Sequence, residues 1–446
     1  MQRAYPANMR FRILLVVLAQ MSMPGLFAQS TPPPGVDTSV TIASAPAPTI
    51  AATAPSADAS LTIGQALALA EHNSPILKQA DASVARARAG VQTAKAYTNP
   101  SFDFMGGNQA ARPISIPGIP GILLHYSVSQ PVEVPAERST RIAAAKLDLT
   151  ATRYQSMGIR LSVAAAVKRA FYDVIRRKNQ LANANDNLAL VEDLRRRVSL
   201  EVQVGEIGRL ELTRAEAELA RAHAAVRSAD VQLANARAVL KAVIGSESKE
   251  TLDAQGSLGD AVEMPPLSEL RHEVLTHHPA LSEANTLTTR SRKIVQHERA
   301  LRIPQPTFYG EYEHQPDLTF YRLGVSVPLP LWDRRKGPIN EAKAAMISSE
   351  AAATQRRLEI TAALESAYDQ YQISNQQVLA MQAGSLKEAE AAVEAARAAY
   401  RFGERGIVEV LDAQRVLQGV RSDLLEALYA RQSALIDLEQ LGVSYK

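Results

Sequence analysis

The stretch "VGEIGRLELTRAE", Val204 to Glu216, returns as "FGERGIVEVLDAQ", Phe402 to Gln414, with two glycines three apart, then a glutamate, then an alanine at matching spacing. Helical sequence flanks both stretches, so the chain must break a long helix twice at the same relative place. Glycine ends a helix cheaply because it adopts positive φ. The pairs Gly205 and Gly208, and Gly403 and Gly406, are therefore expected to be turns between antiparallel helices. The helix before the first pair runs from about Ala136 to Val204, on the order of 100 Å at the usual helical rise. No single globular domain needs that length. Along it Val167, Val174, Leu181 and Leu188 recur every seventh residue, with Val191 and Val198 continuing the row after a shift, as coiled-coil packing requires. Its counterpart, about Arg335 to Arg401, is richer in alanine. The answering helices run from Leu210 to Ile244 and from Val408 to Leu441, the latter with Val410, Leu417 and Leu424 in register.

The duplication extends upstream. Pro75 aligns with Pro279, and Pro100 with Pro304, at an offset that points to doubling of a whole half, with repeats over 61–260 and 261–446. Each half opens with two helices stopped by these prolines, which lack a donor and bias the preceding residue away from helix. The period then changes to two. "PSFDFMGG" and "LLHYSVSQPV" alternate apolar with polar residues, as do "TFYGEYEH" and "TFYRLGVSVPLPL". Each half thus holds one β-hairpin, about 100–131 and 304–329. The first hairpin has a long connection from Asn108 to Gly121; the second is joined by Gln315 to Asp317.

Two hairpins give four strands, and single-chain membrane barrels start at about eight. Open edges are prohibitive in lipid, so strands of this length would span a membrane only if several chains shared one barrel. The alternative is a soluble periplasmic coiled-coil scaffold or adaptor whose hairpins cap a helical bundle.

The first 28 residues carry Arg3, Arg10 and Arg12, a short apolar run to Ala19, and small residues ending near Ala28, the layout of a secretory signal peptide. Residues 29–60, rich in Pro, Ala, Ser and Thr, read as a flexible leader. The chain has no Cys, which excludes disulfides, thiolate ligands and a cysteine-linked lipid. Only 5% of it is aromatic, favouring close-packed helices over a bulky core, and a net charge of +3 with interspersed signs excludes a nucleic-acid surface. Eight histidines raise the question of metal, but His277 and His278 in "THHP" are adjacent and lack further ligands at useful spacing. They read as a helix boundary. "HERA" at His297 lacks the second histidine of a zinc protease, and no phosphate loop or nucleophile elbow occurs.

The doubled order of helix, hairpin, long helix, glycine turn and helix covers nearly everything after Leu61. With "YRFGERGIVEVLDAQRVL" and "VPLPLWDRRKGPINEAKA", it resembles the outer-membrane efflux proteins of the TolC family. "PLPLWDRRKG" is most similar to the CzcC-type branch that serves heavy-metal resistance. The resemblance implies a mainly α fold with membrane β-hairpins: a homotrimer, four strands per chain in a twelve-stranded barrel, and a periplasmic tunnel of coiled coils. It implies a passive exit duct in the outer membrane, with no enzyme activity and no cofactor, for metal ions or small toxic compounds. An inner-membrane pump of the RND type and a periplasmic membrane-fusion adaptor would deliver them. It places Gly205, Gly208, Gly403 and Gly406 at the adaptor-docking tip. It also implies that Tyr400 and Arg405 tether the closed tip with Glu211 as carboxylate partner, and that Glu409 and Asp412 face the pore axis. Threefold symmetry would turn each acid into a ring that concentrates cations. The bland alternative is that both are solvated positions on an amphipathic helix; Arg214 stands opposite Asp412 in the repeat.

Overall fold

The computed structural model describes residues 60–110, 119–247, 252–259 and 261–444. The expected signal peptide, the leader apart from Ser60, and most of the first hairpin's tip lie outside the described residues.

A short strand β1 (Ser60–Leu61) leads into α1 (Ile63–Asn73), α2 (Pro75–Lys95), β2 (Ser101–Gln109), β3 (Gly121–Pro131), α3 (Pro135–Val204) and α4 (Arg209–Ile244). The order then recurs as β4 (Asp253–Ala254), α5 (Leu267–His277), α6 (Pro279–Ala300), β5 (Thr307–His314), β6 (Thr319–Ser326), α7 (Lys336–Ala380), α8 (Leu386–Arg401) and α9 (Ile407–Gln440). A π-helical turn, Met381–Ser385, joins α7 to α8 without a break in the rod.

Proline sets the early boundaries as physics requires. Pro75 and Pro279 occupy the first turns of α2 and α6, where the missing N–H costs nothing. His278 is the cap of α6: its Nδ1 accepts from the Ala280 N–H at 3.1 Å. Burial lowers its pKa, followed by the Arg356 charge, which favours the neutral ring that can accept. "THHP" is a helix boundary here, and among the described residues no cluster of three or more potential ligands could hold a metal.

Each long helix changes partners along its length. α3 lies against α2 and α6 on the side nearer the strands and against α4 and α9 toward the glycine turn; α7 meets α6 and then α9. Val167, Phe171 and Val174 of α3 close over Leu240 and Ile244 of α4, Ala66 and Ala70 of α1 and Leu425 of α9. Leu364 and Tyr371 of α7 pack with Leu270 and Val274 of α5 and with Leu435 and Leu438 of α9. Fully burying such a side chain stabilises by roughly 1.5–3 kcal/mol, so these seams, more than helix propensity, hold the rods together. Val167, Val174, Val191 and Val198 are buried as their spacing predicts, whereas Leu181 and Leu188 are half-buried. Where the heptad row of α9 expects Leu424, the buried residue is Leu425 and Leu424 is half-buried, because the seam there turns toward the first core.

β1 and β4 pair in parallel as a two-stranded sheet, and the hairpin strands form a separate antiparallel sheet in the order β2-β3-β5-β6, so the two hairpins join through β3 and β5. Directly opposed residues share a face. Phe104, Tyr126, Tyr312 and Tyr321 stand in one rung, with ring centroids 5.1, 5.9 and 5.1 Å apart. Phe102, Val128, Leu323 and Val325 extend that face, and all four are exposed. The other face is polar: Ser101 bonds Ser129 at 2.7 Å, and Arg322 pairs with Glu311 at 2.9 Å and Glu313 at 3.0 Å. The outer edges of β2 and β6 have no strand partner among the described residues. Among the described residues no helix is long and apolar enough to cross a membrane.

The π turn has a simple cause. Ile360, Leu364, Ala367, Tyr371, Ser374 and Val378 alternate steps of four and three along the buried seam of α7. Met381 continues it, but the next seam residue is Leu386, followed by Ala389 and Val393. That step is one residue too long for an α-helix to keep facing α9, and a π turn takes up a single extra residue. Deleting Ala383 should therefore convert the rod to continuous α-helix and leave the thermal midpoint of the purified protein within a few degrees of the parent's. Deleting Ala367, in regular helix, should rotate one half of the seam by roughly 100° against the other and abolish a cooperative transition. Unfolding of the Ala383 deletion would contradict this account.

Candidate functional site

The two glycine turns share one hydrogen-bond pattern. Gly205 and Gly403 take φ of 82° and 72°. The Glu206 N–H reaches the Glu201 carbonyl at 2.9 Å and the Gly205 N–H that of Val202 at 3.2 Å; Glu404 reaches Ala399 at 2.9 Å and Gly403 reaches Tyr400 at 3.0 Å. Both are Schellman ends, which satisfy carbonyls a helix terminus would otherwise orphan. Gly208 and Gly406 differ from expectation: they cap the following helices in extended backbone, each with φ of −80°, and supply no positive φ. The first glycine of each pair ends a helix and the second starts one.

The turns lie together at one end of the protein. Leu194 and Val198 from α3, Ala215 from α4, and Ile407, Val410 and Leu411 from α9 form a small core, with Tyr400 half-buried at its margin. The Tyr400 hydroxyl donates to Glu201 Oε2 at 2.5 Å. Burial pushes the Tyr400 pKa well above its ordinary value, reinforced by the bond to Glu201 and the negative charges of Glu201 and Glu211, while Arg197 acts in the opposite sense. The phenol therefore stays protonated and remains a donor. Within the chain Tyr400 is joined to Glu201 rather than to Glu211. Glu201 carried no signal in sequence, because its repeat mate is Ala399 and only the packing of both α3 and α8 on α9 brings it to the phenol.

Glu211 and Glu409 are repeat mates at the third position of α4 and α9, where a carboxylate favours the positive end of the helix dipole. Their surroundings then diverge. Glu211 accepts from Arg214 Nη1 at 3.1 Å. Glu409 instead has Asp412 three residues on, and neither makes a hydrogen bond or ion pair among the described residues. Like charges at that spacing repel, so α9 presents an exposed, uncompensated acidic pair where Glu211 of α4 is paired. Arg405 is exposed and also has no partner among the described residues.

Comparison with known proteins agrees with this geometry. The family model described as outer membrane efflux protein matches residues 66–246 and 270–442. The cobalt-zinc-cadmium resistance protein CzcC of Cupriavidus metallidurans is 26% identical over 313 residues, spanning 70% of this chain and 75% of that one. The fold is that of the CusC channel, at a TM-score of 0.75 and 20% identity over 86% of this chain and 92% of that one. It is also that of the CmeC outer membrane channel of Campylobacter jejuni, at 0.73 and 18% identity over 85% of each. The chain belongs to the outer membrane efflux protein family: it is an outer-membrane channel component of an efflux system, extending into the periplasm, and not an enzyme.

Proposed function

We propose that three copies of the chain close one twelve-stranded barrel and continue below it as a periplasmic coiled-coil tunnel, forming the passive exit duct for cations delivered by an RND-type pump through a membrane-fusion adaptor. The sheet carries this reading. It has an exposed apolar face, a polar face and two open edges, and four strands are too few to close alone, whereas twelve fall within the range of membrane barrels. Exposed Leu358, Ile347, Val231 and Ile373 on the long helices offer apolar surface to neighbouring copies. Likeness to a cobalt-zinc-cadmium resistance protein supports divalent metal as the cargo.

At the tip, the bond between Tyr400 and Glu201 ties the end of α8 to the end of α3, and Arg405 is free to reach Glu211 of a neighbouring copy. Exposed links of that kind contribute up to about 1 kcal/mol each, which suits a closure that must release. Around a threefold axis, Glu409 and Asp412 form two acidic rings at the narrowest point, and Gly205, Gly208, Gly403 and Gly406 shape the surface on which the adaptor docks.

Replacing Tyr400 by Phe and Arg405 by Ser together should raise single-channel conductance severalfold in planar bilayers; unchanged conductance would refute the tether. Replacing Glu409 and Asp412 by Ala should weaken block by multivalent cations on the order of tenfold, the scale on which a charged cleft concentrates counter-ions. Equal block in variant and parent would leave these acids as solvated surface. Recovery of the protein from the periplasm without detergent would favour a soluble scaffold instead.

A further inference from the structure

Strand pairing in β6 ends at Ser326, but its apolar stripe does not. Tyr321, Leu323, Val325, Val327, Leu329 and Leu331 fall on every second residue, with exposures of 78, 92, 52, 48, 70 and 60%. Trp332 follows at 93% exposure. We infer that the segment Val327–Trp332 is a membrane anchor, with Trp332 seated at the headgroup level of the periplasmic leaflet and Arg334 and Lys336 meeting phospholipid phosphates. This rests on the barrel reading above.

Dimensions support it. From Tyr321 to Leu331 an extended chain covers at most about 33 Å, or about 25 Å of height at a strand tilt of roughly 40°, the height of a barrel's apolar band. The bond from the Leu331 N–H to the Leu329 carbonyl, 2.9 Å, shortens only the last step. Aromatic rings mark both ends of the band: the rung of Phe104, Tyr126, Tyr312 and Tyr321 at one, Trp332 at the other. Aromatic side chains with a polar atom favour those two levels. Pro328 and Pro330 occupy the intervening positions and remove two N–H groups from the backbone that an apolar setting would leave to be satisfied; on the barrel reading the segment's other N–H and C=O groups fall to the edge of the neighbouring copy.

The outward position of Trp332 is built in. Arg335 adopts φ of 53°, in the left-handed region that a side chain disfavours. Its N–H bonds Asp333 Oδ1 at 2.7 Å, its guanidinium pairs with Glu298 at 2.6 Å, and the Arg334 carbonyl accepts from Arg302 at 3.1 Å. These contacts pin the turn to α6. Arg334 and Lys336 are left exposed, with side chains unpaired among the described residues, beside the ring; basic residues at that level attract anionic headgroups. The first half has no equivalent. Its crossover "PVEVPAERS" holds no aromatic residue, and its Glu133 is occupied by Arg141 at 2.8 and 2.9 Å.

Trp332 is the one tryptophan of the chain, so its emission reports this site alone. The full-length protein is reconstituted in vesicles of phosphatidylethanolamine and phosphatidylglycerol, with bromine placed shallow or deep on the acyl chains. The expected result is blue-shifted emission that loses most of its intensity to shallow bromine and less to deep. Brominating phosphatidylglycerol alone should quench more than brominating phosphatidylethanolamine alone at equal bromine content, and Arg334→Gln with Lys336→Gln should remove that difference. Solvent-like emission, or blue-shifted emission indifferent to bromine because a neighbouring copy covers the ring, would overturn the anchor. A lipid preference that survives the double substitution would overturn the role of the two basic residues. Conductance in the same vesicles separates the two readings: conducting protein with unquenched Trp332 sinks the anchor alone, and absence of insertion sinks the duct with it.

Discussion

A backbone N–H or C=O in hydrocarbon must find a partner, and the outer edges of β2 and β6 have none among the described residues. Much of the proposed assembly follows from that requirement. In that proposal other copies satisfy the edges, their association sets a symmetry axis, and the axis would convert single side chains at the helical tip into rings. The four strands then act as a fragment whose missing hydrogen bonds specify its neighbours, with the exposed apolar rung turned to lipid and the polar opposite face to water.

Duplication supplies two copies of each part, and the departures from symmetry mark where the halves have taken separate tasks. The Schellman ends at Gly205 and Gly403 are alike to within a few tenths of an ångström in their bonds. One turn later Glu211 is paired with Arg214 while Glu409 is joined by Asp412, so the acid of α9 is left uncompensated where that of α4 is not. At the opposite end, only the second half bears the exposed tryptophan beside basic residues. The buried seams and glycine turns have stayed paired between the halves, and these exposed positions have diverged.

Periodicity made most of the fold legible. Helix limits at Val204, Ile244 and Arg401 follow from glycine and heptad spacing, and the four strands from alternation, because each signal is local and repeats along the chain. What escaped the sequence depends on contacts distant along it. Glu201 meets Tyr400 only because α3 and α8 both pack on α9. The extended backbone of Gly208 and Gly406 could not be told from the positive φ of their partners by composition, since glycine permits both. The shift from Leu424 to Leu425 reflects a seam passing from one neighbour to another. The acidic pair was visible in sequence, yet its lack of compensation needed the surrounding helices.

The extra residue absorbed between Met381 and Leu386 has a further meaning for how such a rod diversifies. In an uninterrupted helix, any insertion near the strands would swing everything below it out of alignment, so the two ends would be locked into changing together. A local widening of the coil releases that lock. The stretch nearer the strands and the stretch nearer the glycine turn can each gain or lose a residue on its own, much as two shafts joined by a slip coupling can be indexed separately.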